Sequence, residues 1–131
     1  MSTAKRSSWL EFKQVGTAAV VNLPAGNLFH DEVIDLVGEN LTRLIETSGC
    51  LHLVLDFGLV NHVSSELMGV LIVTQKRLQG RGGRLTLCSL NADLRGAFAA
   101  LRLDQVFTIV AGEPEALGDQ RSGELTSRGN D

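Results

Sequence analysis

The chain has 131 residues, 44% of them hydrophobic, with two cysteines and a formal net charge of −3. That length fits one domain able to bury a real core, and the apolar share excludes a disordered chain. Glu113, Glu115, Asp119, Glu124 and Asp131 outweigh Arg121 and Arg128 in the last stretch, so the rest is close to neutral and offers no electrostatic case for nucleic acid or an anionic membrane.

Met1 to Ser8 is polar and reads as a loose arm. No signal peptide is expected, nor any run approaching the ~18 apolar residues of a membrane span; the expected location is cytoplasmic. Trp9 to Val15 suggests a strand, and Gly16 a turn. Thr17 to Leu23, rich in small and β-branched residues, reads as a second strand that completes a hairpin. Pro24, Gly26 and Asn27 then break regular structure. From Asp31 to Thr47, Val33, Ile34, Val37, Leu41, Leu44 and Ile45 recur at helical spacing. Asp31, Glu32 and Asp35 suit the positive end of that helix, and Gly49 suits its stop.

Leu51 to Phe57 is a nearly continuous apolar run, as in a central strand buried on both faces. After a loop, Ser64 or Ser65 can cap a helix that runs to about Leu78. Gly80, Gly82 and Gly83 end it. Arg84 to Cys88 alternates as a strand, Asn91 can cap a third helix, and Val106 to Val110 reads as a last strand. The expected domain spans residues 9–111, and residues 112–131 are expected to form a disordered acidic tail. Strand–helix–strand alternation in the second half predicts parallel crossover units. Cys50 and Cys88 sit at the edges of apolar runs and read as small buried thiols, not a disulfide framework.

The segment from Leu55 to Leu71 carries the functional signal. It runs Leu-Asp-Phe-Gly-Leu-Val-Asn-His-Val-Ser-Ser-Glu-Leu-Met-Gly-Val-Leu. It resembles the STAS domain of bacterial anti-sigma factor antagonists. That family ends a strand in Leu-Asp and opens a helix with Asp-Ser-Ser-Gly-Leu-Gly. Laid without gaps, Asp56 falls on the strand-end aspartate and Val60 on a family valine. Ser64 replaces the motif aspartate, and Ser65 falls on the serine that the family phosphorylates. Glu66 and Leu67 replace the next Ser and Gly, Met68 stands for Leu, and Gly69 matches Gly. Gly82-Gly83 before a strand, and Leu-x-x-Val-Phe before the last strand, extend the resemblance over roughly Trp9 to Val110.

The resemblance implies an α/β fold: a mixed sheet of about five strands with helices mainly on one side. It implies a non-enzymatic regulator that binds a protein partner, an anti-sigma factor or serine-kinase-type regulator. The contact residues would be Asp56, Asn61, His62, Ser64, Ser65, Glu66 and Met68, with phosphorylation at Ser65. A phosphate would add about −1.5 to −2 charges at a helix start able to tolerate them, whereas a surface shaped for a neutral hydroxyl could not. No cofactor, metal, nucleic acid or membrane is implied, and the chain would be a monomer or weak homodimer. The alternative is a scaffold or assembly subunit whose same surface makes a constitutive contact. Two plainer roles stay open: the serines as helix caps, and Asp56 as a strand-end acid binding loop N–H groups.

Rival chemistries are thinly supported. His62 precedes Ser64 by two residues, but no Gly-x-Ser-x-Gly elbow or third triad member accompanies them. His30, His52 and His62 lack metal-ligand spacing. Gly80-Arg81-Gly82-Gly83 follows a helix instead of preceding one, so it reads as a turn and not a phosphate loop.

Overall fold

The central strands of a five-stranded sheet alternate their side chains between two buried faces, and that alternation organises the chain. The computed structural model describes residues 11–118. β1 (Glu11–Val15) and β2 (Ala18–Asn22) form the expected antiparallel hairpin. β2 pairs in parallel with β4 (His52–Asp56), β4 with β6 (Arg84–Cys88), and β6 with β7 (Thr108–Val110). The sheet order is β1-β2-β4-β6-β7. The arm over residues 1–8, and Trp9 and Leu10 of the first strand, lie outside the described residues.

Side chains of successive strand residues point to opposite faces. Ala19, Val21, Leu53, Leu55, Leu85 and Leu87 bury one face under three helices. These are α1 (Asp31–Ser48), α2 (Ser65–Gly80) and α3 (Ala92–Ala100). The α1 stripe of Ile34, Val37, Leu41, Leu44 and Ile45 is buried as its spacing predicts. Gly49 ends the helix with φ at 70°, a left-handed conformation that costs glycine little. Gly83 lies so close to the Leu51 backbone that a β-carbon would collide with the Leu51 carbonyl. Both thiols are free and buried.

Three features differ from the sequence reading. The Pro24–Asn27 region is not a simple break: Gly26–Leu28 forms β3, which pairs in parallel with β5 (Val60–Val63), inside the expected loop. Leu103–Gln105 forms a 3-10 turn, so the last strand starts later than Val106. The tail does not begin as disorder at Gly112, because residues 113–118 are helical (α4) and Ala116 and Leu117 are buried. They cover Ala18, Val20, Val54 and Cys88 on the second face of the sheet. An apolar strand face left in water would be costly, and this short helix removes it. Residues 119–131 lie outside the described residues.

Candidate protein-binding site

The two serines have different jobs. Ser64 is the N-cap of α2, in extended conformation, and its Oγ accepts the Leu67 N–H at 3.2 Å. Its own N–H donates to the Leu28 carbonyl at 3.3 Å, tying the helix start to the end of β3. Ser65 is the first residue of the helix. It is exposed, and its hydroxyl has no hydrogen-bond partner among the described residues. The first-turn N–H groups give this end a positive partial charge, and exposed Glu66 adds a fixed negative one.

The β3–β5 pair presents the rest of the surface. Asn61 and His62 are exposed. The His62 ring stacks on Phe29, with centroids 6.4 Å apart and planes 27° from parallel. Phe29 is 48% exposed and Leu59 64% exposed. Sequence reasoning missed both, as well as the two strands that place them. The detectable signal was Phe29 itself, a large apolar residue just before the acidic start of α1. Exposed aromatic groups beside polar ones are typical anchors of protein interfaces.

Two predicted contact residues behave otherwise. Met68 is only 5% exposed and lies in the main core, on the buried stripe with Leu67 and Leu71. Its place in the motif suggested contact, but its helical phase turns it inward, so it supports the helix from below. Asp56 serves internal partners. Its Oδ1 accepts the Gly58 N–H at 2.7 Å, the plainer role foreseen for it.

The Asp56 side chain lies on the second face of the sheet, where it shares a hydrogen bond with Glu113 of α4. That bond, with burial, pushes the Glu113 carboxyl above its ordinary range. Lys13, whose Nζ is 3.3 Å from Glu113 Oε1, pulls the other way. Asn91 braces the site from behind: its Oδ1 caps α3 at Leu94 N, 2.8 Å away, and its Nδ2 reaches the Val60 and Asn61 carbonyls, each at 3.3 Å. Asn61, His62, Ser64, Ser65 and Glu66 thus fall on one short stretch from β5 into α2. Among the described residues no group of His, Cys, Asp and Glu side chains could hold a metal ion, and no helix is long and apolar enough to cross a membrane.

Comparison with known proteins agrees with this architecture. A protein from Thermotoga maritima, provisionally described as an anti-sigma factor antagonist, is 21% identical with a TM-score of 0.80, over 88% of this chain and 97% of its own. The phosphorylated form of the Bacillus cell fate determinant SpoIIAA is 17% identical with a TM-score of 0.65, over 85% and 97%. A sulfate transporter family protein from Wolinella succinogenes is 16% identical with a TM-score of 0.69, over 83% and 88%. At these identities the likeness establishes the fold. The STAS domain model matches residues 11–116, from the first strand into α4, and the chain therefore belongs to the STAS family.

Proposed function

We propose that this chain is an anti-sigma factor antagonist-like regulator of the cytoplasm, acting by binding and not by catalysis. It docks a serine-kinase-type anti-sigma factor through the start of α2, and phosphorylation of Ser65 switches that contact. The observation that carries the reading is the division of labour between the serines. Ser64 caps the helix, which leaves the Ser65 hydroxyl exposed for a kinase or a partner. Family membership supports it, as does the Phe29–His62 stack on the adjoining strand pair.

The test is calorimetric titration of the purified anti-sigma kinase with wild-type, Ser65→Ala and Ser65→Asp proteins. Ser65→Ala should bind about as well as wild type. Ser65→Asp should bind ~100-fold more weakly, corresponding to about 2.7 kcal/mol. Equal binding by all three removes the switch. Incubation with the kinase and ATP should place phosphate on Ser65, read by mass spectrometry, and none on Ser65→Ala.

A second reading rests on Glu66. Its exposed carboxylate stands beside Ser65 in a position that the family motif gives to a serine. A surface already carrying that charge suits a constitutive scaffold contact. Stable high-mass assemblies in light scattering, unchanged by Ser65→Asp, would favour this reading over the switch.

A further inference from the structure

α4 has the least structure of its own. It spans only residues 113–118, and a helix that short does not persist alone in water. It is helical because Ala116 and Leu117 bury against Ala18, Val20, Val54 and Cys88. Docked and helical, or released and unfolded, are therefore its two states.

The start of α4 is tied to the C-terminal ends of β4 and β6. The Ser89 N–H donates to the Ala111 carbonyl at 3.0 Å, just before the helix. Lys13 Nζ lies 3.3 Å from Glu113 Oε1. Glu113 in turn shares a hydrogen bond with Asp56, which requires one proton between the two carboxyls. Asp56 carries the tie onward. Its Oδ1 accepts the Gly58 N–H at 2.7 Å. The fit there is close: a β-carbon on Gly58 would stand 2.9 Å from that oxygen and 3.8 Å from the Ser89 β-carbon. Beyond Gly58, the Leu59 carbonyl accepts the Gly26 N–H at 2.9 Å, and the Val60 N–H donates to the Phe57 carbonyl at 3.0 Å. These bonds set β3 and β5, and so Asn61, His62 and the start of α2.

The turn after β4 needs only Asp56 to satisfy Gly58. The second carboxyl, brought against Asp56 by α4, adds nothing to that turn and is repelled whenever both are ionised. What it does provide is a connection between a two-state helix and the passage into the partner surface.

We infer that α4 is a strap on the partner surface: its docking, relayed through Glu113, Asp56 and Gly58, orders the passage from β4 to β5, and its release loosens that passage. Its bearing on binding rests on the kinase-partner reading given above, because a loosened passage must be ordered again when a partner docks. The coupling itself belongs to the free chain. Among the described residues, Lys13 of β1, Cys88 of β6 and Glu115 of α4 are the other ionisable groups around the pair. Lys13 favours ionised Glu113 and so opposes the shared proton.

The experiment begins with NMR spectra of the free chain in mildly acid buffer, where the pair holds its proton. Leu117→Asp places a charge on the buried second face and should release α4, so that the Ala116 amide exchanges ~10-fold faster or more. The Gly58 amide proton should then move upfield as its hydrogen bond weakens, and the Ser65 amide should move with it. Amides of β4, which pairs on both sides, should stay protected and show that the sheet is intact. Glu113→Ala cuts the relay without charging the core, and should move Gly58 and Ser65 in the same directions. It keeps the test decisive if Leu117→Asp fails to fold. Glu113→Gln, whose amide can still donate to Asp56, should keep the wild-type positions. Against the purified anti-sigma kinase, Leu117→Asp and Glu113→Ala should bind ~10-fold more weakly, and Glu113→Gln as well as wild type.

A slow Ala116 amide in Leu117→Asp overturns the two-state helix. Gly58 and Ser65 unmoved in Leu117→Asp or in Glu113→Ala overturns the relay, as does a shift in Glu113→Gln equal to that in Glu113→Ala. Moved resonances with wild-type affinity in every variant overturn the strap's effect on binding. Failure of the wild-type chain to bind the kinase overturns the kinase-partner reading, while the resonances of the free chain still decide the coupling.

Discussion

Two passages lead from neighbouring strand ends into helices, and they are built in opposite ways. β4 and β6 end in register at Asp56 and Cys88. From Cys88 the chain takes the short path through Ser89 and Leu90 to Asn91. Ser89 there has φ at 63°, and its N–H donates to the Ala111 carbonyl at 3.0 Å. One side chain, Asn91, then both caps α3 and braces β5. From Asp56 the chain takes the long path, adds β5, and reaches α2 with its capping and exposed hydroxyls on separate residues. The short passage concentrates structure in few groups. The long one leaves groups over, the exposed Ser65 hydroxyl first among them.

The contrast can be broken or sharpened by measurement. The largest expected effect concerns Cys88, whose thiol burial pushes from an ordinary 9.0 to about 11. The folded state favours the neutral thiol, so this stability is fully present below pH about 9 and is lost as pH rises through about 11. The loss is on the order of 2–3 kcal/mol. Denaturant melts across that range should show it, and Cys88→Ala should lack it.

Next comes Asn91→Ala, which removes a cap and two braces. It should cost about 2 kcal/mol in the same assay. A cost no larger than that of Ser64→Ala would show the braces to be idle.

Ser64→Ala removes only a cap and should cost about 1 kcal/mol. Smallest is Ser65→Ala, which should stay within about 0.5 kcal/mol of wild type. A large loss there would return Ser65 to a structural role and end the comparison.

A fifth effect, outside that ranking, concerns pH at α4 on the second face of the sheet. The raised Glu113 carboxyl means that its protonated form favours docking of α4. That contribution is present below the ordinary carboxylate range and is lost as pH rises through the raised value. Amide exchange at Ala116, whose N–H donates to the Gly112 carbonyl, should quicken over that rise. Unchanged exchange would show that the carboxyl pair does not hold the helix.

Much of the fold was legible because long periodic signals survive local noise. The α1 stripe, the continuous run in β4, the left-handed Gly49 and the Asn91 cap all appear where their chemistry placed them. β3 and β5 were not legible. Each is short, and each exists only by pairing with a partner more than 30 positions away, which leaves no local period to read. α4 was obscured by its acids, although the reading of β4 as buried on both faces already required a cover for the second face. At the site, resemblance put Ser65 on the family's phosphorylation position but the residues left the cap open between Ser64 and Ser65; the geometry of Ser64 settled the cap. Met68 shows the converse: motif position suggested contact, and helical phase placed it in the core.

The double service of Asn91 has a consequence far from either serine. Because one amide group grips β5 with its nitrogen and the first turn of α3 with its oxygen, any movement of β5 is felt as loosening of that turn. The Leu94 amide is then a built-in reporter. Its hydrogen exchange or chemical shift should register occupancy at the α2 start, although Leu94 itself is buried and touches no visitor.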